Sequence, residues 1–167
     1  MPIFSHMFSG LFMPKPKPAP VVIRDFLGTF TLDKENFCGE VTLLGHEMTV
    51  FLETDGEGKS TADTALKNLH AFVPKAAEWD AAVKEFAAAD FADENGMIDT
   101  WGGCGSDSEG EIISKEEFMR RTEMNFIQFN RDGSLFFDYS LNDMFTDHGL
   151  GVNADISGKI HSCALWG

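Results

Sequence analysis

The chain is short of cysteine, short of cations and free of long apolar runs, and each shortage removes a class of function. Cys38, Cys104 and Cys163 are isolated, with no Cys-x-x-Cys spacing, so neither a disulfide framework nor a zinc knuckle is expected. A reduced, cytoplasmic setting follows as the expectation. Only 13 Lys and Arg stand against 27 Asp and Glu, a formal net charge of −14. That balance excludes a binder of nucleic acid, which must present clustered cations to displace counterions from the phosphate backbone. It also speaks against an anionic membrane surface as partner. No apolar run approaches the ~20 residues of a membrane-spanning helix, and the first residues lack the cationic start and small-residue cleavage site of a secretory leader. Gly-x-Ser-x-Gly and His-Glu-x-x-His are missing, and the glycines at 56, 58, 102 and 103 fit neither a phosphate loop nor a dinucleotide fingerprint. No cofactor is expected.

What remains is a chain of 167 residues, 43% hydrophobic, enough for one domain with its own core. Residues 1–20 stand apart from it. Phe4, Met7, Phe8, Leu11 and Phe12 recur at helical spacing, and Pro14-Lys15-Pro16-Lys17-Pro18-Ala19-Pro20 reads as a polyproline-like linker. This segment is a candidate docking helix or interface contact, and with Arg24 its lysines make the first 24 residues cationic, without a single acid. Residues 21–167 read as the domain.

Three strands are expected at 26–32, 37–44 and 48–54, joined by a polar turn at Asp33–Asn36 and a corner at Gly45-His46. Ser60 to Asp63 carries a capping signal for a helix running to about Phe72, and Pro74 suits the first turn of a second helix bearing Trp79, Val83, Phe86 and Ala87 on one face. Ser114-Lys115-Glu116-Glu117 opens a short third helix. Then Phe126 leads to a hairpin at Asn130-Arg131-Asp132-Gly133, Leu135-Phe136-Phe137 follows, and Leu150, Val152, Ala154 and Ile156 alternate as a final strand. Residues 45–56 can be laid on 147–158 at a constant offset, which suggests two similar units. The expected fold is α+β: two antiparallel three-strand meanders, before and after the helices, packed with two or three central helices. Phe30, Val41, Leu69, Trp79, Phe126 and Phe137 are among its expected core residues.

The side chains with most chemical potential are Asp143, Asp147, His148, Asp155 and His161, since carboxylates with imidazole can hold a divalent metal or exchange protons. Asp143, Asp147, His148 and His161 form the candidate metal set. Parity within the strand opposes a simple version, because His148 shares a face with Leu150 and Val152, as His46 does with Met48 and Val50. The plainer expectation is that each histidine closes an apolar face and bonds a nearby carbonyl or carboxylate. The stretches Asp107–Phe118 and Asp93–Ile98 imitate parts of a calcium loop, but Gly105 and Phe91 fall where the first oxygen ligand belongs. Cys163, two residues from His161, reads as an inert buried thiol. Nine acids and one lysine between Asp90 and Glu117 make an acidic segment, whose Asp107, Glu109 and Glu111 are candidate contacts for a basic protein partner.

Leu27-Gly28-Thr29-Phe30-Thr31-Leu32-Asp33, Trp79-Asp80, Ser114-Lys115-Glu116-Glu117-Phe118, Asp143-Met144-Phe145-Thr146-Asp147-His148 and Ala154-Asp155-Ile156-Ser157-Gly158 together resemble the bacterial family called domain of unknown function 2262. The resemblance covers about residues 25 to 158. It implies a bacterial, cytoplasmic domain of mixed helix and strand, and brings no activity or site residues. The functional expectation is a non-enzymatic interaction module with an acidic surface, in the manner of an immunity or antitoxin protein. The alternative is a metal-binding protein or metal-assisted hydrolase built on Asp143, Asp147 and His148.

Overall fold

A computed structural model describes residues 19–102 and 109–167. The first four strands run antiparallel in chain order: β1 (Val22–Asp25), β2 (Gly28–Asp33), β3 (Asn36–Leu43) and β4 (His46–Glu53). Helix α1 (Asp63–Phe72) follows, then a 3-10 turn at Val73–Lys75 with Pro74 near its start, then α2 (Ala76–Phe91). A small hairpin of β5 (Met97–Asp99) and β6 (Ile112–Ser114) precedes α3 (Lys115–Arg121), whose N-cap Ser114 accepts the Glu117 N–H. The chain ends in β7 (Glu123–Phe129), β8 (Ser134–Ser140), β9 (Gly149–Asp155) and β10 (Ile160–Trp166).

The expectation of two three-strand meanders packed with central helices is corrected. The protein is mostly strand, and β1-β2-β3-β4-β7-β8-β9-β10 form one continuous eight-stranded sheet. Edge strands β1 and β10 add a fourth member to each half, and β4 pairs with β7 in parallel, with Val50 opposite Ile127 and Leu52 opposite Phe129. The pairing has a physical cause: separate meanders would leave two further edges with unpaired N–H and C=O groups, and joining them removes both. A parallel pair needs a long crossover, which the helices supply. They therefore lie over one face of a single sheet. The segments that align at constant offset, β4 and β9, occupy different places, one central and one next to the edge.

Period-two patterning builds the covered face. Phe37, Val41 and Leu43, then Met48, Val50 and Leu52, then Leu135, Phe137 and Tyr139 are all buried and point to one side. Ala65, Leu69 and Phe72 of α1 and Trp79, Val83 and Ala87 of α2 meet them. Phe72 and Trp79 close on Phe137 at ring separations of 6.0 and 5.8 Å. Phe86 is only half-buried. The cap of α1 comes from elsewhere than Ser60: Asp55 accepts the N–H groups of Asp63 and Thr64 at 2.9 and 3.1 Å. No described helix is long and apolar enough to cross a membrane.

Candidate functional site

The candidate metal set does not assemble as one group. Asp143, Asp147 and His148 lie in the loop between β8 and β9, whereas His161 sits in β10 and meets Asp155 at 2.9 Å. Gly149 beside His148 pairs with Trp166, and Asp155 lies at the far end of the same strand. About six residues at ~3.3 Å each separate the two histidines along the sheet. Among the described residues no three His, Cys, Asp or Glu side chains come together with metal-binding geometry. His46 is exposed at the start of β4. Cys163 places its thiol 3.4 Å from the Asp90 carboxylate. Burial, followed by that hydrogen bond and the negative charge, pushes the thiol up to about 12, which keeps it protonated and unreactive. Asp107 lies outside the described residues. Glu109 is exposed, and Glu111 is already engaged by Arg121, so part of the acidic segment is neutralised within the chain.

The loop carrying His148 is tightly held. Asn142, Asp143 and Thr146 all have positive φ, at 40°, 62° and 56°, a costly conformation for a β-branched residue such as Thr146. Met144 and Phe145 are buried pegs, Trp101 N–H donates to the Met144 carbonyl at 2.9 Å, and Thr146 N–H donates to Gly102 at 2.7 Å. His148 Nδ1 lies 2.8 Å from Thr146 Oγ1 and 3.2 Å from the Phe145 carbonyl, with the Trp101 ring edge-on at 5.6 Å. The imidazole thus finds the local carbonyl expected of it. Asp147 is 80% exposed, with its carboxylate 3.3 Å from Thr146 Oγ1 and 3.7 Å from His148 Nδ1.

A larger feature is the second face of the sheet. Register places Phe51, Gln128, Phe136 and Asn153 side by side across β4, β7, β8 and β9, all pointing away from α1 and α2. Phe126, expected in the core, lies on this face too. A register irregularity between Met124 and Phe126 shifts the alternation, so that Met124 and Ile127 are the buried residues and Phe126 emerges opposite Asp138. The three phenylalanines form a chain of rings, Phe51 to Phe126 at 5.3 Å and Phe126 to Phe136 at 5.9 Å, each half-buried. The first contact is edge-on and the second tilted, and edge-on contact at such a separation is favourable.

Gly149 and Gly151 of β9 make room for the next aromatic. A Cβ at Gly151 would stand 3.0 Å from the Phe136 ring and 3.3 Å from Trp166, so the row continues to Trp166 only because glycine is there. Trp166 is 50% exposed, and its indole N–H donates to Asp138 Oδ1 at 2.9 Å. Asn125 donates to the other carboxylate oxygen at 3.1 Å. Asp138 is 5% exposed, a carboxylate sunk between rings and satisfied from both sides. Around the rings the same face carries Asp33, Glu40, Glu47, Glu53, Glu123 and Asp155, against Arg24 as its one strand-borne Lys or Arg. Arg131, in the β7–β8 turn, reaches only Glu53.

An aromatic strip edged by carboxylates presents apolar ring area with a polar rim. The sequence signal that would have found it is the pair Gly149 and Gly151 in an otherwise regular strand, together with the adjacent phenylalanines Phe136 and Phe137, one of which must point outward.

Residues 24–165 match the family described as an uncharacterised protein conserved in bacteria, domain of unknown function 2262. No curated protein and no solved structure matches the chain.

Proposed function

The chain belongs to this bacterial family, and from that membership, which carries no activity with it, we propose that the protein is a non-enzymatic interaction module whose recognition surface is the sheet face left open among the described residues. The observation that carries the reading is the row Phe51–Phe126–Phe136–Trp166 bordered by acids. Aromatic centres with a polar rim are the common anatomy of binding patches. The rim supports a basic partner. With carboxylates outnumbering cations there, a second copy of the same face is repelled, and a basic protein segment carrying apolar side chains is attracted. A stoichiometric inhibitor of the immunity or antitoxin type works through such a surface. Compared with the expectation from sequence, the basic partner is kept and its contact moves from the acidic loop to the sheet.

The test uses a short synthetic peptide alternating lysine with leucine and phenylalanine, titrated against the full chain and against a Phe51→Ser/Phe126→Ser variant. Binding that weakens with added salt, and falls about tenfold or more in the variant, is the expected result. Equal binding by both proteins, or salt-indifferent binding, overturns the reading.

A further inference from the structure

The sheet ends in two strands that are guarded very differently. An edge strand exposes a row of unpaired N–H and C=O groups, and shortness, charge, proline or a bulge keeps another chain from joining it. β1 is blunted in this way: it is four residues long, contains Arg24 and Asp25, and follows Pro20. β10 has seven residues, Ile-His-Ser-Cys-Ala-Leu-Trp, with no Lys, Arg, Asp, Glu or Pro among them. Its irregularity falls at its start, between Ile160 and Ser162, and from there Ser162 to Trp166 pair with Asn153 to Gly149 in unbroken register. On its outer side β10 has no partner strand among the described residues. In a chain of net charge −14, this is a neutral strip with its backbone open.

We propose that β10 is a dimerisation edge, pairing antiparallel with β10 of a second copy about a two-fold axis at Ala164. The proposal stands apart from the role of the open face. Closure is the first argument for a second copy. Identical strands paired antiparallel obey the two-fold symmetry of a closed dimer, and the joined sheet then shows only its two blunted β1 edges, so assembly stops there. Side-chain fit is the second. Ala164 is the midpoint of the regular run Ser162–Trp166, so pairing about it sets Ala164 against Ala164, Ser162 against Trp166 and Cys163 against Leu165. No like charges meet. Cys163 and Leu165, both half-buried against the core, extend it as an apolar pair, and the half-exposed Trp166 gains a neighbour. Charge is the third. Antiparallel pairing carries Lys159, exposed before β10, to the end of the other copy where Gly167 lies against His148 and Asp147 is 80% exposed. A basic partner, drawn to the acids of the open face, finds no carboxylate on β10 itself.

One strand pair is a small interface, so the expected dimer is weak, with a Kd of about 10 µM. The mass of the full chain is followed by sedimentation equilibrium from about 1 to 200 µM, in about 0.15 M salt to screen the negative charge of both copies. Wild type is expected to pass from monomer to dimer across that range. Ala164→Glu and Ala164→Lys are compared with it, because Ala164 is exposed and either substitution sets like charges on the axis. Each variant alone is expected to associate at least about tenfold more weakly. An equimolar mixture of the two is expected to recover the dimer, since opposite charges then meet, and that recovery requires both variants to be folded. A wild-type chain that stays monomeric throughout overturns the proposal. A dimer that survives both substitutions overturns it as well, because it is held elsewhere, and so does a mixture that associates no better than either variant alone.

Discussion

Phe136 and Phe137 are neighbours in the same strand, identical in side chain and opposite in fate. Phe137 is fully buried among Phe72, Trp79 and Tyr139, on the face that the helices cover. Phe136 is half-buried on the face they leave open, touching Phe126 and lying over Gly151. One face is closed by the chain itself and contributes to folding; the other keeps rings at the surface, where their apolar area is available to something else. The contrast separates a ring that closes the core from a ring left at the surface within a single β-strand.

The largest effect should come from the covered side. Phe137→Ala removes a ring from the middle of the aromatic cluster and is expected to cost about 3–5 kcal/mol, read as a lowered denaturant midpoint. Phe136→Ala should cost only about 1 kcal/mol, for part of a ring's burial, while weakening capture of a cationic peptide. Comparable losses for the two variants would erase the distinction between the faces. Gly151→Ala comes next, at about 1–3 kcal/mol, because its Cβ meets the Phe136 ring at 3.0 Å and Trp166 at 3.3 Å. Trp166→Phe follows at about 1–2 kcal/mol, since Asp138 loses one of its two side-chain donors. Its peptide affinity should fall more than its stability.

Much of the covered face was legible because its signals are local. The hairpin turn at Asn130–Gly133 was marked by Gly133, which has φ 88°, and α1 was marked by Ala65, Leu69 and Phe72 at helical spacing. The open face was not legible, for two physical reasons. Joining β4 to β7 is a pairing between residues 77 apart, with Val50 meeting Ile127, and no local pattern encodes which distant edge a strand will seek. The irregularity at Met124 to Phe126 then reverses the inward and outward sets, so that simple alternation assigns Phe126 to the wrong side. Edge strands β1 and β10 escaped for a related reason. Both are only partly buried, and in β10 every residue from Ile160 to Trp166 is half-buried or exposed, which blurs the period-two signal. Of the candidate metal residues, His148 and His161 are close in sequence and sit at opposite ends of a ladder, a separation that no local pattern encodes.

The smallest predicted effect compares two carboxylates, one serving each side. Burial would raise Asp55, but the Thr61 hydroxyl and the N–H groups of Asp63 and Thr64 hold it down at about 2, and it caps the helix over the covered face. Asp155, at the edge of the open face, is held at about 2 chiefly by the Ser157 hydroxyl, with His161 and the Ser157 N–H adding to it. Both folded values lie below the ordinary 3.8. Each group's contribution is therefore complete above pH 3.8, shrinks as the pH falls toward about 2, and is gone below it. Asp55→Asn should cost about 1 kcal/mol near neutrality, the worth of a helix cap, and the gap to wild type should close as unfolding is repeated down that acid window. Asp155→Asn should follow the same pH course with a smaller shift in midpoint, because it ties only a turn at the sheet edge. If Asp155→Asn instead destabilises more than Asp55→Asn, the β9–β10 edge is bearing the fold, and the division between a face that holds the protein together and a face that binds is drawn in the wrong place.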